Sequence, residues 1–182
     1  MNHERGRRVT VTGSESTGKT WLAERLAIHF GTMWSREFSR EYALQKAAPL
    51  DAMDVEPIAR GQMRLEDELL RRAPRLAILD TDLVSTVVYA EHYYGRCPPW
   101  IEDEARARLA RLYLLCDIDV PWVADPARDR PHARHEIQSA FIKCLERFGA
   151  PYVGVRGVWE EREALAIAAI ESHFALSSSQ DR

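Results

Sequence analysis

The chain has 182 residues, 46% hydrophobic and 29% charged, the balance of an ordinary globular protein; it is expected to form one domain over 1–182, with 1–7 and 176–182 as flexible termini. A net charge of −3 offers no general attraction to nucleic acid or anionic membranes, so neither is expected as a partner and any phosphate recognition must be local. Cys97, Cys116 and Cys144 are odd in number and form no zinc pattern, the N-terminus lacks a secretory hydrophobic segment, and no apolar run approaches the roughly 20 residues of a membrane span; reduced thiols and a cytoplasmic location are expected.

Residues 8–12, Arg-Val-Thr-Val-Thr, form a β-branched run that predicts a buried strand. A helix with apolar residues at helical spacing follows to about residue 30, with Gly31 as its stop. Between them, Gly13-Ser14-Glu15-Ser16-Thr17-Gly18-Lys19-Thr20 matches G-x-x-x-x-G-K-[ST], the phosphate-binding loop, in the strand–loop–helix setting that motif requires. Its two glycines let the backbone curl until several N–H groups point inward, at the positive end of a helix dipole. Lys19 can then reach the β- and γ-phosphates, and the Thr20 hydroxyl can ligate Mg²⁺.

Met33-Trp34 reads as the tip of a second strand, and the charge-dense segment 35–46 as a loop–helix junction. Residues 51–72 read as a long helix with Pro57 either in its first turn or dividing it. Residues 76–80, Leu-Ala-Ile-Leu-Asp, are a continuous apolar run ending in an acid, the form of a parallel strand buried on both faces. Helices are expected over 82–94 and 100–111, a strand over 112–116, and a proline-rich loop or lid over 117–131. A helix over 133–148, a strand over 151–155 and a helix over 160–174 complete the pattern. Strands alternating with helices imply right-handed crossovers and a three-layer α/β/α fold on a parallel sheet of about five strands, with ligands at the strands' carboxyl ends.

The groups able to do chemistry fall at those ends. Asp80 stands where a P-loop protein places the acid that holds Mg²⁺ opposite Thr20. Asp82 either caps the following helix or meets the substrate, and the two roles are compatible. Glu37 with Arg40 and Glu41 can accept a hydroxyl proton or bind a ribose diol, or can form ion pairs on a solvated helix face. Arg128, Arg130 and Arg134 suit a mobile lid that neutralises transferring phosphate, the alternative being surface charge. His132 and His135 lack partners at ligand spacing and are not read as a metal site. Trp122 either stacks on a flat ring or fills the core beneath the lid. Tyr89, Tyr93 and Tyr94, at near-helical spacing, are read as packing.

The phosphate loop together with Glu37-Phe38-Ser39-Arg40-Glu41-Tyr42, Ile78-Leu79-Asp80-Thr81-Asp82, and Pro121-Trp122-Val123-Ala124-Asp125 with Arg128 resembles the NadR-type ribosylnicotinamide kinase domain, over nearly the whole chain from about Val9 to Ile170. The resemblance implies a P-loop kinase fold of five parallel strands with a lid, and ATP-dependent phosphorylation of the 5′-hydroxyl of nicotinamide riboside to nicotinamide mononucleotide. Residue by residue it implies that Gly13, Ser14, Glu15, Ser16, Thr17, Gly18, Lys19 and Thr20 bind ATP phosphates, and that Thr20 and Asp80 hold Mg²⁺. Glu37, Arg40, Asp82, Trp122 and Asp125 would then face the nucleoside, and Arg128 the transferring phosphoryl. Asp82 and Glu37 are the two candidates for the carboxylate nearest the 5′-hydroxyl. The multifunctional relatives carry an adenylyltransferase domain upstream; with about eight residues before the first strand, none is expected here. The alternative readings are a kinase for another nucleoside and an ATP-binding regulatory module.

Overall fold

Five apolar segments pair in parallel into one sheet of order β2-β3-β1-β4-β5. They are β1 (Arg7–Thr12), β2 (Met33–Ser35), β3 (Leu76–Asp80), β4 (Leu112–Cys116) and β5 (Tyr152–Val155). Among the described residues the α-helices are α1 (Lys19–His29), α2 (Phe38–Lys46), α3 (Val55–Arg72), α4 (Leu83–Tyr94), α5 (Pro99–Ala107), α6 (Arg134–Phe148) and α7 (Trp159–Phe174). This computed structural model describes residues 7–72, 75–121 and 133–175. The expected three-layer α/β/α architecture on a five-stranded parallel sheet is the one observed.

Strand alternation divides the core in two. Val9, Val11, Ile78, Leu112 and Leu114 meet Leu22 and Leu26 of α1 and Ala166 and Ile170 of α7 on one face. On the other, Tyr113 and Leu115 pack among Val84, Val87, Ile101, Ile137 and Phe141 from α4, α5 and α6. The three central strands are shielded on both faces, which is why β3 and β4 read as continuous apolar runs and β1 as a β-branched one. The connection that leaves β1 runs through α1 on one face of the sheet, and the one that leaves β3 runs through α4 and α5 on the other. The carboxyl ends of β1 and β3 therefore open a crevice at the point where the strand order reverses.

Several element ends shift by a residue from the sequence reading, and four differences bear on the packing. Strand β1 begins at Arg7, inside the stretch expected to be a flexible terminus. Segment 35–46 resolves into the end of β2 and the helix α2, with Glu37 at its N-cap position. The helix expected from residue 51 opens as a short 3₁₀ turn, Ala52–Asp54, whose Asp51 side chain accepts the Met53 N–H; Pro57 then falls in the first turn of α3, where its missing N–H has no partner to lose. Helix α5 stops at Ala107, because the Arg111 N–H already pairs with the Arg8 carbonyl of β1.

Helix α2 buries no residue completely and leans on α3 through one ring. Phe38 lies directly against Gly61 in the interior of α3, and a Cβ at that glycine would overlap the ring. Gly61→Ala would gain about 1 kcal/mol in helix propensity alone. Displacing Phe38 is expected to outweigh this, with a net loss of about 1–3 kcal/mol on urea unfolding. A more stable variant would show that α2 yields without strain.

Candidate active site

The loop between β1 and α1 is held in shape by hydrogen bonds to the backbone of Ser14, Ser16 and Thr17. Gly13, at φ 129°, approaches so close to β4 that a Cβ would stand 2.7 Å from the Cys116 carbonyl oxygen. Gly18 takes the left-handed conformation, φ 78°, immediately before α1. Lys19 Nζ and Thr17 Oγ1 donate to the Ser14 carbonyl at 2.7 and 2.8 Å. Gln138 of α6 accepts the Ser14 N–H at 3.0 Å and donates to the Cys116 carbonyl at 3.0 Å, stapling the loop to the end of β4. The loop is thus fixed in a curled shape of the kind that can cradle an anion.

At the second residue of α1, Thr20 Oγ1 donates to Asp80 Oδ2 at 2.6 Å, joining α1 to the end of β3. Asp80 is 1% exposed and its Oδ1 has no partner among the described residues. Burial, then the nearby charge of Glu37, pushes its carboxyl up to about 6. A buried carboxylate with one orphaned oxygen beside a hydroxyl is a donor set suited to a hard divalent cation that keeps several phosphate and water ligands. The two residues therefore fit Mg²⁺.

From this point a cavity of about 730 Å³ extends beneath α2, α3 and α4. Glu15 and Lys19 line its loop end, Glu37 and Arg40 the α2 side, and Asp82, Ser85 and Thr86 the α4 side. Glu37 is half-buried, and its Oε1 accepts the Ser39 hydroxyl at 2.9 Å. Asp82 is committed elsewhere: Oδ1 caps α4 by accepting the Val84 N–H at 3.0 Å, and Oδ2 accepts Tyr113 Oη at 2.6 Å and Thr10 Oγ1 at 3.2 Å. Burial raises the Asp82 carboxyl and drives the Tyr113 phenol well above its ordinary value. Of the two carboxylates considered for the acceptor hydroxyl, Glu37 has the freer oxygens and the more open position.

Tyr89, Tyr93 and Tyr94 pack as expected, Tyr89 and Tyr94 against the α4–α6 core, but they also form the far wall of the cavity. The Tyr89 and Tyr93 rings lie 6.0 Å apart and nearly parallel, at 10°. The mouth is braced by Asp54, which accepts Lys46 Nζ at 2.5 Å and Tyr42 Oη at 3.0 Å. Burial pushes the Asp54 carboxyl up, and its bonds from Lys46, the Asp51 backbone and Tyr42 outweigh that and hold it below its usual range.

The structure thus brings together the loop, Thr20, Asp80, Glu37, Arg40 and Asp82. Trp122, Asp125 and Arg128, with Arg130 and His132, lie outside the described residues. Arg134, read as part of the arginine lid, turns instead to backbone: its Nη atoms donate to the Val120 and Ser16 carbonyls, each at 3.2 Å. Gln138 and Arg162 belong to no motif and were missed. A signal existed for the second, since Arg162, Ala166 and Ile170 form the buried stripe of α7 and an arginine does not sit on such a stripe without a partner.

A family model described as an AAA domain matches residues 8–162. The chain is similar to the trifunctional NAD biosynthesis/regulator protein NadR of Escherichia coli (strain K12), at 32% identity over 155 residues, and to that of Salmonella typhimurium (strain LT2), at 30% over 156 residues. Each alignment covers 82% of this chain and 38% of the relative, so the chain spans well under half the length of these proteins. A solved NadR protein in complex with NR superposes with a TM-score of 0.83 at 24% identity, over 97% of this chain and 53% of that one. A second, in complex with NAD and AMP-PNP, gives 0.82 at 25%, over 97% and 52%. Thymidylate kinase from Ehrlichia chaffeensis shares the fold, with a TM-score of 0.66 at 14% identity over 92% of this chain and 98% of that one. The match over residues 8–162 assigns the chain to the AAA-domain family of P-loop proteins, where it stands with the NadR type.

Proposed function

We propose that the protein is an ATP-dependent nucleoside kinase, with nicotinamide riboside as acceptor and nicotinamide mononucleotide as product. The observation that carries this reading is that Lys19 of the phosphate loop and Glu37 of α2 line one cavity of about 730 Å³, a volume within the range of small-molecule sites. Its likeness to NadR proteins solved with NR and with AMP-PNP supports the choice of both ligands. Among the described residues no helix is long and apolar enough to cross a membrane. The three free cysteines, two of them buried, support a cytoplasmic site of action.

In this reading the acceptor's 5′-oxygen attacks the γ-phosphorus while Glu37 takes the hydroxyl proton. The bond from phosphorus to the β,γ-bridging oxygen breaks, and ADP leaves. Lys19 and the inward N–H groups hold the phosphate oxygens, whose charge shifts most in the transition state. Mg²⁺, held by Thr20 and Asp80, would neutralise charge on the β- and γ-oxygens. Arg40 and the aromatic wall orient the nucleoside, and Arg128 would meet the transferring group.

The test is ATP consumption against a nucleoside panel, with mass detection of the phosphorylated product. Nicotinamide riboside should give the highest kcat/KM, and a chelator should abolish turnover until Mg²⁺ is restored. Hydrolysis that no nucleoside accelerates would leave a regulatory ATPase in its place.

A further inference from the structure

The phosphate nest depends on a contact that no motif describes. Arg134, at the start of α6, and Arg162, in the first turn of α7, are distant in sequence but converge on the outside of the phosphate loop. Arg134 ties the Ser16 carbonyl to the Val120 carbonyl, both at 3.2 Å. Arg162 Nη1 donates to the Thr17 carbonyl at 3.0 Å, Nη2 to the Asp117 carbonyl at 3.0 Å and to the Asp119 carboxylate, and Nε to the Gly157 carbonyl at 2.9 Å. The other oxygen of Asp119 accepts the Gly157 N–H at 2.7 Å, closing the network. Two consecutive loop carbonyls are thus joined, each by one guanidinium, to the same short stretch after β4.

The consequence follows from peptide geometry. In a planar trans peptide the C=O and the next residue's N–H point in opposite directions. Holding the Ser16 and Thr17 carbonyls outward therefore turns the Thr17 and Gly18 N–H groups inward, where donor phosphate oxygens would lie. A buried guanidinium with no task other than stability is readily replaced by apolar side chains. Arg162 is 1% exposed, and the rest of its stripe is Ala166 and Ile170. Lysine cannot do the same work, because a point charge does not bridge three carbonyls as a planar fork does.

We propose that Arg134 and Arg162 are positioning residues for the donor phosphates: they aim the Thr17 and Gly18 amides into the nest and make that aim depend on the position of residues 117–120. Donor affinity is thereby coupled to the stretch that leads from β4 toward the arginine-rich segment. The inference rests on the triphosphate half of the kinase reading and is independent of which acceptor is used.

The experiment titrates the full chain with Mg²⁺ and AMP-PNP by calorimetry, alongside kinetics with nicotinamide riboside and hydrogen exchange. Arg162→Gln is expected to weaken AMP-PNP binding about tenfold or more, the loss of charge-assisted hydrogen bonds, with the nucleoside KM within about twofold. Arg162→Lys should be no better than Arg162→Gln, and in either variant the amides of 16–18 and 117–120 should lose protection together. Arg134→Gln, at a half-buried site, should show the same pattern more weakly and carries the test should Arg162→Gln fail to fold. Unchanged AMP-PNP affinity in folded variants, or rescue by lysine, overturns the proposal. A wild type that binds AMP-PNP through these arginines but phosphorylates no nucleoside sinks the kinase reading and leaves the bracket standing. A wild type that does not bind the analogue sinks both.

Discussion

Glu37→Gln is expected to lower nucleoside-dependent kcat by about 10²–10⁴, the range for removing a positioned general base, while AMP-PNP affinity stays within about twofold. The side chain sits at the N-cap position of α2, lines the cavity, and is near enough to Asp80 for its charge to help raise that carboxyl. In the proposed reaction those three facts put it between the cavity and Asp80, on the approach of the 5′-hydroxyl to the γ-phosphate. Glutamine keeps the length and can still accept the Ser39 hydroxyl, so α2 should not move. What disappears is the capacity to take a proton. Asp82→Asn is the internal comparison, because the Asn oxygen can still cap α4 and accept from Val84. Its activity should fall less than that of Glu37→Gln. The reverse order would assign the hydroxyl proton to Asp82 and make Glu37 a binding group.

The contrast between these two acids shows where sequence stops being informative. The places of the loop, Thr20 and Asp80 were legible: a glycine- and lysine-spaced motif between a strand and a helix fixes where the loop lies, and an apolar strand ending in an acid fixes where Asp80 lies. The sheet was legible for a related reason: strands buried on both faces have no polar side and appear as bare apolar runs. Strand β2, only three residues long at the sheet edge, and α2, with no fully buried residue, left weaker patterns. Asp82 could not be resolved because its partners, Thr10 and Tyr113, lie 72 and 31 residues away. Neither Gln138 nor Arg162 works through a motif; each acts by reaching a loop carbonyl or N–H from a helix that the topology, not the local sequence, brings alongside.

Glu66→Gln is expected to stabilise the protein at neutral pH while leaving turnover near wild type. Glu66 of α3 is 1% exposed, and its Oε1 has no partner among the described residues. Burial first, and the charge of Asp82 second, push its carboxyl up to about 8, although Arg108 stands 3.8 Å away. At that distance the guanidinium, already bonded to Asp67 and Glu104, does not offset the lost hydration. The folded chain therefore keeps a proton that the unfolded chain releases above its ordinary value of 4.5. Stability from this group is fully present below about pH 4.5 and is lost progressively as pH rises to about 8. At pH 7 the loss is on the order of 3 kcal/mol, since each unit of displacement is worth about 1.4 kcal/mol. Glutamine has the same shape and no charge, and leaving its amide partly unsatisfied costs about 1–3 kcal/mol. The charge term is expected to win, with a net gain of about 1–3 kcal/mol at pH 8 that falls away and turns into a small loss toward pH 5. Urea unfolding of both proteins across that range is the measurement. A gain of equal size at pH 5 and pH 8 would mean that Glu66 carries no displaced proton, and a net loss at pH 8 would mean that the Arg108 pair holds α3 in place after all.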